Sequence, residues 1–93
     1  MEIHWSDEKN DLLKQKFGFG FERIVIALSE GMLLDDRRHV NIERYAHQRQ
    51  LVVEIEGYAF IVPYVETERG VFLKTFFPSR KAVRSREQEQ TWQ

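Results

Sequence analysis

The sequence predicts an α+β fold: a small antiparallel sheet, two N-terminal helices packed on one face, and a C-terminal helix, in the order β-α-α-β-β-β(-β)-α. Three observations predict it. Helix-period apolar patterning occupies the stretch before residue 32, strand-like runs punctuated by turn residues fill 43–78, and a polar, helix-permissive tail follows from Ser79. With 93 residues there is room for one domain, 1–93, and an apolar content of 42 % supports one modest core.

The elements follow in order. "MEIHW" alternates apolar and polar residues around Ile3 and Trp5, which reads as a short strand. "SDEKNDLLKQKFG" opens a helix: Ser6 or Asp7 caps it, acids fill its first turn, Lys14 and Lys16 lie near its end, and Gly18 stops it. Its apolar stripe is Leu12, Leu13, Lys16 and Phe17. In "GFERIVIALSEG", Phe21, Ile24, Val25 and Leu28 recur at i, i+3, i+4 and i+7, the spacing of one helical face, and Gly31 ends the helix.

From residue 32 the pattern changes. "MLLDDRRHVNIE" reads as a short apolar piece followed by a polar connection. Strands are expected over "ERYAHQRQ", "LVVEIEG", "YAFIVPYVE" and "VFLKTFFP", the first two open to merging, with hairpin turns at "EGY" and "TERG". Pro63 inside a strand pattern marks an edge position or a nearby bulge. Phe72, Phe76 and Phe77 cannot share one side of a strand, so Phe76 or Phe77 is exposed or covered by a partner. The tail, 79–93, offers only Ala82, Val83 and Trp92 as sizeable apolar contacts, so its helix is expected to fray or to dock on another chain.

Composition narrows the function classes. The absence of cysteine removes disulfides, zinc-thiolate sites and thiol catalysis, and favours an intracellular setting. The N-terminus has neither the basic nor the apolar region of a signal peptide, and no apolar run reaches the about 20 residues of a membrane span. A soluble cytoplasmic domain is expected, with no membrane partner. A formal net charge of −1 leaves nucleic-acid contact to local patches.

One such patch is "PSRKAVRSRE" at 78–87. Helical spacing sets Arg80 and Lys81 beside Arg84, and guanidinium forks suit phosphate recognition and the extra charge of a pentavalent phosphorane. The plain alternative is a solvated helix with Arg84–Glu87 and Arg86–Glu89 neighbours, yet cations at a helix N-terminus oppose the macrodipole. A second cluster is "DDRRHVNIERYAHQR". As a strand, it would align Glu43, Tyr45, His47 and Arg49 on one face, a set able to move protons or simply to sit half-buried with polar tips in water. The three histidines show no ligand spacing, so no metal or cofactor is expected. "FGFGFE" looks like a phosphate loop but follows no strand; it reads as a helix–helix turn with Glu22 capping. The acidic first helix and "FFP" together offer a protein-binding surface as a third reading.

Three stretches in sequence resemble the BrnT-type toxins: "IHWSDEKNDLLKQKFGFGFE", "LLDDRRH" followed by "ERY", and "SRKAVRSRE". They cover nearly the whole chain. Phe17 stands where the family commonly has His, and "PSR" lacks the family's Ala between Ser and Arg. The resemblance implies a RelE-like ribonuclease fold, a metal-independent endoribonuclease that inhibits translation, and a ribbon-helix-helix antitoxin as partner, in a homodimer or a toxin–antitoxin hetero-oligomer. On that reading Arg80 clamps the scissile phosphate with Lys81 in support, Glu43 or His47 serves as base or acid, and Arg44, Lys74 and Arg84 bind RNA. The competing reading is a non-catalytic module of the same fold that acts through a partner protein.

Overall fold

The computed structural model describes residues 2–38 and 48–79. Within them run β1 (Glu2–His4), α1 (Asp7–Phe17), α2 (Phe21–Ser29), β2 (Leu33–Arg38), β3 (Gln48–Ile55), β4 (Tyr58–Glu66), β5 (Gly70–Leu73) and β6 (Phe77–Pro78). The class is α+β, with both helices on one face of a sheet. The expected C-terminal helix lies outside the described residues from Arg80 on.

Helix α1 begins where Ser6 accepts the Lys9 N–H at 3.3 Å and ends at Gly18, which turns left-handed and donates to the Lys14 carbonyl. Its buried face is Asn10 and Leu13, with Phe17 packed against the core. These positions lie three and four apart, one face of a helix. Leu12, expected in the stripe, is offset by one residue and is 55 % exposed. Helix α2 buries Phe21, Ile24 and Ala27 completely.

The sheet has the order β1-β5-β4-β3-β2, with β6 also paired to β4. It is mixed where an antiparallel sheet was expected, because β1 runs parallel to β5 with Ile3 opposite Val71. β1 and β5 stand far apart in the chain, so no hairpin fixes their relative direction. Gly70 permits the pairing: a Cβ there would collide with the Glu2 backbone.

Residues 33–38, read from the sequence as part of a connection, form β2, antiparallel to β3 with a bulge between Leu33 and Asp35. Every β2 residue is exposed. Among the described residues β2 is the last strand of the sheet, and a strand exposed on both faces shows no alternation. The two expected strands around "RQ" merge in part: 48–50 continues into 51–55 as β3, whereas 43–47 lies outside the described residues. The β3–β4 hairpin closes over Glu56 and Gly57, both left-handed at φ 52° and 85°, a turn whose twist matches the flanking strands.

Pro63 sits in the central strand β4, next to a bulge. Tyr64 pairs with Leu73 and Ile61 with Phe77, so three residues of the neighbouring strand stand against two of β4. The Lys74 N–H donates to the Pro63 carbonyl at 2.8 Å, and the missing proline N–H falls where the ladder is already broken. The bulge turns Phe76 into the core at 1 % exposure and leaves Phe77 40 % exposed.

Candidate functional site

The helix-covered face of the sheet is filled unevenly along β4. At the Phe60 end, "FGFGF" delivers Phe17, Phe19 and Phe21 around Phe76. Phe19 stacks on Phe76 at 5.4 Å between ring centroids, and Phe21 and Phe60 meet it edge-on at 5.4 and 6.0 Å. The helix–helix turn is therefore a core element rather than a phosphate loop. Its cap is Asn10: buried at 4 % exposure, it accepts the Phe21 N–H at 2.7 Å and donates to Glu22 at 2.9 Å. Glu22, expected as the cap, instead holds Asn10 and lies 3.3 Å from the Lys14 ammonium. The Asn10 hydrogen bond, chiefly, holds the Glu22 carboxyl below its ordinary value. Gly20 is required because a Cβ would strike the Asn10 side chain.

At the Tyr64 end the helices no longer cover the sheet. A cleft of about 640 Å³ opens there, floored by Ile3, Leu51, Tyr64 and Val71 and walled by Leu28 of α2 and Leu33 of β2. Its rim carries Asp36, Glu66, Glu68 and Arg69. Met32 and Leu34, next to Leu33 in sequence, are also exposed.

A polar clasp closes one side of this cleft. Arg49 and Tyr64 are direct cross-strand partners on β3 and β4, and Asp36 reaches them from β2, opposite Leu51. The Tyr64 hydroxyl donates to Asp36 Oδ1 at 2.8 Å. Arg49 Nε–H is shared between the Tyr64 oxygen at 3.1 Å and Asp36 Oδ1 at 3.3 Å, and Nη2 donates to the Asp36 carbonyl at 3.4 Å. Burial, first, and donation to Asp36 push the Tyr64 phenol above its ordinary value, so at neutral pH it is a donor and not a base. The bond to Tyr64, then Asp36, raises the Arg49 guanidinium and keeps it charged. The clasp ties three strands together and holds a carboxylate and a guanidinium at the cleft lip.

Of the residues proposed for catalysis or RNA binding, Lys74 is described, as is Arg49 of the strand face expected to hold Glu43, Tyr45 and His47. Lys74 is exposed, beside Pro63, with its ammonium 5.7 Å from the Phe72 ring centroid, and it does not line the cleft. Glu43, Arg44, His47, Arg80, Lys81 and Arg84 lie outside the described residues. Their described sequence neighbours Gln48 and Ser79 are fixed to the sheet. Gln48 pairs with Val65, and the Ser79 N–H donates to the Ala59 carbonyl at 2.9 Å. Positions 59 and 65 are about 20 Å apart along a strand, so these two attachment points stand at opposite ends of β4.

Asp36, Tyr64 and the cleft are not evident in the sequence. The available signal is Arg49, which shares its strand face with Leu51, Val53 and Ile55; an arginine extending an apolar face calls for a partner. Among the described residues no three His, Asp or Glu side chains converge to hold a metal ion, and no helix is long and apolar enough to cross a membrane. No protein-family model, curated protein or solved structure matches the chain.

Proposed function

We propose that the chain is the toxin half of a toxin–antitoxin pair: a metal-independent endoribonuclease that cuts RNA in the cytoplasm and is neutralised by a ribbon-helix-helix partner. The observation that carries this reading is the anchoring of Ser79. Its N–H is bonded to Ala59 and its residue is 7 % exposed, so Arg80 follows directly from a point fixed to the sheet. A charge clamp needs such a mount, because positioning errors of an ångström cost rate. In this chemistry the RNA 2′-oxygen forms a bond to the adjacent phosphorus and the 5′-oxygen leaves with a proton. Arg80 stabilises the charge that accumulates on the phosphorane, with Lys81 and Arg84 beside it in sequence. Glu43 or His47 handles the protons, and Arg44 and Lys74 bind the RNA backbone.

The second reading, a non-catalytic module of the same class, is favoured by one observation. Gln48, next in sequence to the proton-transfer residues, and Ser79, next to the clamp, attach at opposite ends of β4, which gives no support for a joint active site.

Incubating purified protein with RNA in excess EDTA separates the two. Cleavage is expected, and Arg80→Ala is expected to lower its rate about a hundredfold while the circular dichroism spectrum is retained. A folded Arg80→Ala protein with undiminished cleavage removes the clamp. No cleavage under any condition leaves the binding module, and cleavage restored only by added metal overturns the metal-free assignment.

A further inference from the structure

We propose that the cleft at the Tyr64 end is a docking groove for a short segment of a partner protein, one with neighbouring aliphatic side chains flanked by Lys or Arg. The inference rests on the partner-binding reading above and not on RNA cleavage. Three properties of the cleft define the occupant. Its floor and walls are largely aliphatic, and the Leu33 wall is 45 % exposed. Its rim carries Asp36, Glu66 and Glu68 with Arg69, and Arg49 reaches the lip through Asp36. Asp36 is already engaged by Arg49 and Tyr64, whereas Glu66 and Glu68 have no ion-pair partner among the described residues. Two unpaired carboxylates beside an apolar hollow repel a phosphate backbone and attract a cationic chain, which makes RNA the wrong occupant and a basic, aliphatic peptide the fitting one.

The groove lies beside the edge strand β2, yet strand addition there is obstructed at its middle. The Asp36 N–H is taken by Asp35 Oδ1 at 2.9 Å and the Asp36 carbonyl by Arg49 Nη2. Side chains entering the hollow, rather than backbone pairing along β2, are therefore expected to carry the affinity.

The test is selection of a random short-peptide display library on the immobilised full chain, followed by solution binding of the enriched peptides. The paired variant is Glu66→Lys with Glu68→Lys, whose fold is checked by circular dichroism. Enriched sequences should combine Leu, Ile, Val or Met with Lys or Arg, and should bind the charge-reversed variant about tenfold or more weakly. Leu33→Asp should weaken them similarly, by wetting the wall. Acid-rich or uncharged sequences, or binding indifferent to both variants, would overturn the proposal. So would an RNA oligonucleotide that competes for the same site, or concentration-dependent self-association that the charge reversal abolishes, since a second copy would then be the occupant. RNA cleavage and its dependence on Arg80 are read independently, so failure here leaves the ribonuclease proposal standing, and the converse holds too.

Discussion

Under the helix–helix turn, four phenylalanines surround Phe76; at the other end of β4 the same sheet face lies beneath an open cleft and is fastened by Asp36, Arg49 and Tyr64. The contrast separates two ways of stabilising a small sheet. Aromatic packing excludes water and gains from area and ring geometry. The clasp uses hydrogen bonds that tie a buried tyrosine to a half-exposed aspartate and arginine, each worth less in net terms but able to hold charge at a surface. The packed end sets stability, and the open end is left with chemistry to offer.

The comparison can be broken by substitutions at each end. Phe76→Ala removes the ring that all four others touch and should cost about 3–5 kcal/mol, measured by denaturant unfolding. Tyr64→Phe keeps the ring and deletes only the hydroxyl, so about 1 kcal/mol is expected. Equal losses would mean that the clasp is as much a part of the core as the aromatic cluster. Between these lies Asn10→Ala, which strands the buried Phe21 N–H and releases Glu22; a loss of about 1–3 kcal/mol is expected. A neutral Asn10→Ala would show that the α1–α2 junction is held by its aromatics alone.

The smallest expected effect is with pH. The Glu22 carboxyl is held below its ordinary value of 4.5 in the folded chain. A depressed carboxylate adds stability above its unfolded value, and that contribution fades as pH falls through the folded one. Acid unfolding of Glu22→Gln should therefore be slightly less steep than that of the parent below about pH 4.5. Because Glu22 is half-exposed, the difference is small, and identical profiles would show that Lys14 and Asn10 hold it too loosely to matter.

Legibility in the sequence follows the same division. Both helices, their stops and the β3–β4 hairpin are readable, because caps, glycines and apolar spacing are local signals. Leu12 and Leu13 are chemically alike, and only tertiary packing decides that Leu13 joins the core. Residues 33–38 lack alternation because β2 is an edge with every residue exposed. The parallel pairing of β1 depends on a contact between Glu2 and Gly70 that no local pattern announces. The clasp is harder still: its members come from β2, β3 and β4, and Tyr64 is indistinguishable in the pattern from its apolar neighbours Phe60 and Val62. Of the residues proposed from charge and resemblance, Lys74 is the one described, and it stands away from the cleft.

Native-state hydrogen exchange tests the division of the molecule most directly. Amides of β3 and β4 beneath the aromatic cluster, around Val53, Ile55, Phe60 and Val62, should exchange only through global unfolding, with a denaturant dependence equal to that of the whole chain. Amides of β2 and of the 66–70 turn should exchange through local openings nearly independent of denaturant. Uniform protection across both ends, with a single denaturant dependence, would contradict the account and make the cleft end an equal part of the folding core.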